Sequence, residues 1–406
     1  MIEMTQRRGA GSPVGPMFCI ILGLFGLYTL ELGVVGILPM IVARFGVSVA
    51  QAGMLMGVFA LIVAVSGPVL VLVSSRYDRK AILTGALFGF SLCSLLSAYA
   101  PNFPTLMALR VLPAMLHPVF FSAAFAAAVS LYPRERAAHA TTTAFIGTTL
   151  GLVFGVPLTT FIAAHFSYEG AFLFCAIATG VAGLGLLFQL PRQDRAGPLG
   201  FGRQLAVFRK PSVWLSIAAI ILVFTAKFSV YSYAAEYLRS ETGMSGETIS
   251  MMLVLFGIGG VTGNLVAGRL LSRNLVLTIL FHPVVLGVAY LILYGLGHAS
   301  VATMTVVTLA WGAVHTSGMV ITQSWMSAAA PEAPEFATSL YVSAANAGIA
   351  LGAWVGGLFI DAIGMSGTIW CGLIFAILSF AVIGVKAAMF GSYPDRETFR
   401  RARAAF

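Results

Sequence analysis

The stretch Leu27–Pro39, "LYTLELGVVGILP", decides how this chain is read. It has the composition of half an apolar helix, yet Glu31 stands in its middle, the only Asp, Glu, Lys or Arg between Arg8 and Arg44. What that carboxylate does depends on the solvent around it, so the rest of the chain has to be read for its solvent first.

Of the 406 residues, 59% are hydrophobic and 9% are charged, against about 25% charged in an average soluble domain. Such a chain cannot cover itself with water-facing side chains. A helix needs about 20 consecutive apolar residues to cross the hydrocarbon core of a bilayer. Charge-free runs that supply them recur at 45–75, 81–109, 111–133, 137–168, 170–191, 248–268, 336–360 and 362–385. The run 274–331 is long enough for two spans, with "YGLGHAS" as a break between them. With 17–39, around Glu31, and 211–235, around Lys227, the reading is an all-α membrane protein of twelve transmembrane helices.

Lys and Arg stay preferentially on the cytoplasmic side. With both termini placed there, all but four of the 23 Lys and Arg fall on that side. Arg44 and Arg239 lie outside, and Arg110 and Lys227 fall within spans. The net charge of +9 then reflects inner loops beside anionic lipid rather than nucleic-acid binding. Arg7 and Arg8 precede an apolar run too long for a signal peptide, and no small-residue cleavage site follows it, so that run is the first helix. The expected location is a cell inner or plasma membrane. Cys19, Cys93, Cys175 and Cys371 sit in four different spans with no Cys or His partner nearby, which indicates packing rather than a metal site or disulfide framework. No cofactor is expected.

One constant offset lays the second half of the chain on the first. Gly46 meets Gly243, Ser48 meets Ser245, Met54 meets Met251, Phe59 meets Phe256, and Gly151, Gly155 and Gly170 meet Gly348, Gly352 and Gly367. The repeat predicts two pseudo-symmetric six-helix bundles related by an axis along the membrane normal, as in transporters whose halves rock about a midplane site. The expected organisation is a tail over 1–16, a bundle over 17–190, a linker over 191–211, a second bundle over 212–388 and a tail over 389–406. The linker carries Gly197, Pro198, Gly200 and Gly202 among basic residues, a flexible composition. Glycines four apart allow close backbone approach. Gly147, Gly151 and Gly155, followed by Pro157, recur in kind as Gly348, Gly352 and Gly356, which points to a moving interface rather than static packing alone.

Two long stretches, "ELGVVGILPMIVARFGVSVAQAGMLMGVFAL" and "APEAPEFATSLYVSAANAGIALGAWVGGLFID", resemble the major facilitator superfamily, and within it the proton-coupled efflux branch of drug, sugar and purine-nucleoside exporters. The resemblance runs from Met17 to about Lys386. It implies the major facilitator fold, a basic inner-gate loop, an arginine in the fourth span and a glycine-rich antiporter motif in the fifth. The loop "SSRYDRKA" keeps Arg76, Arg79 and Lys80, with Ser75 and Asp78 where the family has Asp and Gly. Arg110 matches the fourth-span arginine, with Ala114 replacing its following glycine. Gly151, Gly155 and Pro157 remain of the fifth-span motif, whose closing glycine pair is Thr159 and Thr160.

A charge at the bilayer centre costs on the order of 2.5 to 3.5 kcal/mol on insertion scales, so it faces a cavity or a partner. Glu31 is therefore the candidate proton-coupling residue, as the efflux relatives also imply. The alternative is a structural pair with Arg110, whose depth in its own span, about 9 Å against about 12 Å for Glu31, is compatible with contact. Arg110 is the candidate partner in coupling or a substrate contact. Candidate substrate contacts are Tyr28, His117, Lys227, Tyr231, His315, Gln323 and Asn346. Lys227 is one residue from the repeat equivalent of Glu31, and Tyr231 shares its face one turn on. His117 and His315 lie one position off the common offset; a lone helical histidine is more often a packing residue than a proton carrier. Arg76, Asp78, Arg79, Lys80, Gly151, Gly155 and Pro157 are candidate gating residues, with topology and packing as their plainer roles.

These readings converge on a secondary active transporter that exports a small organic molecule in exchange for protons by alternating access. The alternative is a facilitator or an inward proton symporter of a small polar metabolite. Its expected partners are the substrate, protons and lipid, with a monomer sufficient. An intramembrane enzyme or a receptor fits less well: the chain has no GxSxG, no HExxH and no paired carboxylates within a span.

Overall fold

The computed structural model describes residues 13–74, 77–133, 136–191, 206–296, 300–332 and 334–390. Among them, twelve helices are long and apolar enough to cross a membrane. They are α1 (Val14–Gly36), α2 (Val49–Ser74), α3 (Arg79–Ala98), α4 (Phe103–Ser130), α5, α6 (Tyr168–Gln189), α7 (Pro211–Tyr231), α8 (Gly246–Arg273), α9 (Leu275–Gly295), α10 (Val301–Ala329), α11 (Pro334–Ile363) and α12 (Gly367–Phe390). The α5 span has three parts: Ala137–Leu150, a π-helical turn at Gly151–Gly155, and Val156–His165. Arg76 and most of the linker lie outside the described residues.

Local chemistry places the breaks. Pro39 sits in the first turn of a short helix, Leu38–Phe45, where its missing N–H costs nothing, and α1 ends just before it. Gly46 closes that short helix at φ 62°, a left-handed conformation glycine enters without steric cost. The second half repeats the device: a short helix, Ala234–Thr242, follows α7 and Gly243 closes it at φ 67°. Ser48 and Ser245 then accept from the backbone N–H groups of Gln51 and Thr248 to start α2 and α8. Matching caps at matching offsets are the local signature of the duplication.

Helix pairing carries the same symmetry. In the first half α1 packs on α5 and α6, α2 on α4, and α3 on α6; in the second, α7 packs on α11 and α12, α8 on α10, and α9 on α12. The glycine stripes lie inside each half. A Cβ on Gly151 would come within 2.9 Å of the Phe25 carbonyl oxygen in α1, and one on Gly352 within 2.8 Å of the Thr225 carbonyl oxygen in α7.

A further glycine seam, not singled out from the sequence, joins α8 to α10. A Cβ on Gly312 would sit 2.7 Å from the Phe256 carbonyl carbon, and one on Gly263 2.6 Å from that of Ala313. Backbone cannot step aside as a side-chain tip can. Gly312→Val should therefore destabilise by about 1–3 kcal/mol or more through overpacking, read as lost yield of folded protein and a lower unfolding midpoint. Gly268→Ala, where a Cβ would meet nothing within 4 Å, should be neutral or slightly stabilising.

Two seams join the halves, α2 with α11 and α5 with α8. Both close the end of the bundle remote from the basic loops. Tyr233, just past α7, presses its ring against Gly53 of α2 and donates its hydroxyl to the Ala353 carbonyl of α11 at 2.5 Å. Ser250 of α8 donates to the Pro157 carbonyl of α5 at 2.9 Å. At the opposite end, Lys210 and Glu332 form a 2.6 Å ion pair that ties the start of α7 to the α10–α11 loop, and hydrogen bonding from Lys210 holds the Glu332 carboxyl below its ordinary pKa. Lys386, counted among the cytoplasmic-side charges in the sequence, is buried in the last turns of α12. Its ammonium donates to Ser216 Oγ at 2.5 Å and lies 3.9 Å from the Trp325 ring centroid, partners that replace part of its hydration.

Candidate functional site

Glu31 sits inside the first half, 5% exposed. Its carboxylate Oε2 is 3.0 Å from His117 Nε2 of α4, a contact that is an ion pair when the imidazole is protonated. Aromatic rings enclose the imidazole. Tyr28 and Phe59 meet it edge-on, each with centroids 5.9 Å away, and Phe121 lies parallel to it at 6.4 Å. Tyr28 packs against two hydrophobic clusters, one of the first half and one that spans both halves. Pro113 and Pro118 interrupt the backbone ladder of α4 on either side of His117.

Arg110 does meet Glu31, but through the backbone. Its guanidinium donates to the carbonyls of Leu30 at 2.7 Å and Glu31 at 2.9 Å, and lies 4.7 Å from the Phe59 ring centroid. The carboxylate's ion-pair partner among the described residues is His117, a residue expected from the sequence to touch substrate. The fork geometry of guanidinium suits two adjacent carbonyls, so Arg110 fixes where the α1 backbone stands against α4. Beside it, a cavity of about 20 Å³ is lined by Arg110, Ser94, Ser97, Thr159 and Cys175, a size that suits one water.

A second cavity, about 60 Å³, lies between the halves. Leu32, Thr149, Leu152 and Val153 line its first-half wall; Phe228, Tyr231, Phe256, Asn264, His315 and Thr316 line most of the other. Of the residues singled out in the sequence, Tyr231 and His315 reach this cavity. Lys227 lies one layer behind the wall, fully buried, its ammonium 4.3 Å from the Phe224 ring centroid. Asn346 is buried and donates back to the Val342 carbonyl of its own helix at 3.0 Å. Gln323 is half-buried on α10.

The gating candidates are spread out. Asp78 caps α3 by accepting from the Ala81 backbone N–H at 2.9 Å. Arg79 and Lys80 form the first turn of that helix. Gly151 and Gly155 bracket the π-helical turn of α5, and Pro157 receives the cross-half hydrogen bond from Ser250. Asn264, Phe256 and His282 were not singled out from the sequence; an amide or a second histidine inside an apolar run is the signal that marks two of them.

The model of the Major Facilitator Superfamily matches residues 17–234 and again 215–405, two passes that mirror the two halves. The inner membrane transport protein YdhP of Escherichia coli (strain K12) is 31% identical over 378 residues, covering 92% of this chain and 96% of that protein. The uncharacterized MFS-type transporter YfhI of Bacillus subtilis (strain 168) is 31% identical over 363 residues, covering 88% and 89%. A crystal structure of a bacterial homolog to the human lysosomal transporter Spinster, in an inward-facing and unoccupied conformation, superposes with a TM-score of 0.79 at 16% identity, covering 94% of this chain and 98% of that one. Twelve spans in two matching halves, the doubled family match and these relatives together place the chain in the Major Facilitator Superfamily.

Proposed function

We propose that this protein is a secondary active transporter of an inner or plasma membrane that exports a small organic molecule in exchange for protons. The observation that carries the reading is the Glu31–His117 contact, a buried pair of titratable groups in the first half of a chain whose two halves share a cavity. Either group can hold a proton, and what surrounds them changes if the halves tilt. A group whose surroundings alternate between aqueous access and packed protein loads its proton on one side and releases it on the other.

The cavity is the proposed substrate site, with Tyr231 and His315 in its wall and Leu32, Thr149, Leu152 and Val153 at its first-half side. The seams of α2 with α11 and α5 with α8 form the proposed outer gate, and the basic loop after α2 the inner one. Charge asymmetry supports cytoplasmic termini, and on that reading closure at the remote end corresponds to an inward-open conformation. YdhP is named an inner membrane transport protein, which supports the location and the transport class.

A substrate is to be found by screening a strain stripped of its own exporters for resistance and lowered accumulation. Purified protein in liposomes should then show counterflow without a gradient and uphill movement when a pH gradient is imposed. Counterflow that ignores the gradient would make it a facilitator, and uptake in the direction of proton flow a symporter.

A further inference from the structure

The second half buries a basic cluster that mirrors, with opposite charge, the place of Glu31 in the first. Lys227 of α7 is 0% exposed, and its Nζ has no hydrogen-bond partner among the described residues. His282 of α9 and His315 of α10 lie beside it, buried at 5% and 3% exposure. The bare Cα of Gly318 makes room for the cluster: a Cβ there would sit 2.7 Å from His282 Nε2 and 3.4 Å from Lys227 Cδ. His282 Nε2 is 3.0 Å from the Val314 carbonyl, which leaves its Nδ1 unpartnered. His315 Nδ1 is also unpartnered, and His315 lines the central cavity.

The acids that could answer this charge are elsewhere. Among the described residues of the second half, Glu236 is held by Arg239 at 2.7 Å, Glu241 is half-buried beyond α7, and Glu247, Glu332 and Asp361 are exposed. Glu31 is in the first half, against His117. A buried ammonium without a counter-charge is costly, and such a group in a membrane span marks a substrate or ion pathway.

We infer that the missing counter-charge is the substrate's: the cavity recognises an organic anion, a small carboxylic acid with an apolar or aromatic body. Its carboxylate turns to His315, with Lys227 supplying positive potential from behind the Phe228 ring. That ring stands 5.4 Å from the His315 ring and 5.9 Å from the Lys227 ammonium, centroid distances that make it the partition between them. Its body rests on Phe228, Tyr231 and Phe256, while Asn264, whose side-chain oxygen is unpartnered, offers an acceptor to a hydroxyl or amide. The inference rests on the transport reading for its site but not on proton coupling.

The test is binding to the purified full-length protein with no gradient present. Unfolding midpoints are measured with benzoate, nicotinate and gluconate, and with their neutral counterparts benzamide, nicotinamide and glucose. At least one acid should raise the midpoint where its neutral counterpart does not. Lys227→Met should weaken that acid at least tenfold, and its unliganded midpoint should equal or exceed that of the unmodified protein, because an unpaired buried charge is gone. His315→Phe should weaken the same acid and serves as the test should Lys227→Met not fold. No preference for any acid, stabilisation by benzylamine instead, or full acid binding in both variants would overturn the inference. Binding that survives while gradient-driven transport fails would instead count against proton coupling alone.

Discussion

Glu31→Gln is expected to abolish accumulation driven by a pH gradient while leaving substrate binding in place. Glutamine keeps the volume and the hydrogen-bonding reach of the side chain and removes its exchangeable proton. One proton crossing one pH unit releases about 1.36 kcal/mol, a factor of ten in concentration. The unmodified protein should therefore build about a tenfold gradient per coupled proton in liposomes, and the variant should only equilibrate its substrate. The Glu31 side chain is 5% exposed and lies away from the cavity lining, so the dissociation constant should change little. Undiminished pH-driven transport by the variant would remove Glu31 from the mechanism and leave it a structural partner of His117.

The second large effect is on stability. Arg110, 3% exposed, makes two hydrogen bonds from a charged donor to the carbonyls of Leu30 and Glu31. Bonds of that kind are worth about 1.5–3 kcal/mol each. Arg110→Met forfeits both but recovers part of the cost of burying a charge, so a net loss of about 2–4 kcal/mol is expected, read from unfolding of the purified protein. Arg110→Lys keeps the charge without the planar fork and should fall between the two. An unchanged midpoint for the methionine variant would show that α4 and α1 are held by apolar packing alone. The two substitutions separate two roles that the sequence left entangled, since Glu31→Gln keeps the backbone carbonyl that Arg110 binds.

The fold was legible because a bilayer imposes a length on every span and a charge rule on every loop. Even the joint within 274–331 could be placed, since one helix ends at Gly295 and the next begins at Val301. The duplication was legible from sparse identities because the positions that matched include structural ones, Gly46 with Gly243 and Ser48 with Ser245. Glu31 stood out for the same energetic reason.

Its partner did not. Depth along two helices placed Arg110 and Glu31 together, but rotation about each axis decides which atoms meet, and periodicity alone does not fix it for helices apolar on nearly every face. The same blindness left Lys227 as readily in the cavity wall as in a structural role, and gave no sign that Lys386 stands against Trp325. It also hid the α8–α10 seam, since glycine is common in membrane spans and only the partner backbone reveals which ones are in contact.

Tyr28 belongs to two interiors at once. Its ring meets those of His117 and Phe121, and it packs both against a hydrophobic cluster of the first half and against one that spans the two halves. If the halves tilt as proposed, a phenol packed on a cluster they share cannot keep all its neighbours, so the space allotted to the imidazole would depend on the attitude of the far bundle. Under the proposed exchange of substrate for protons, mechanical reorientation and the fate of a single hydrogen ion would meet at one aromatic side chain, one turn of helix from the carboxylate.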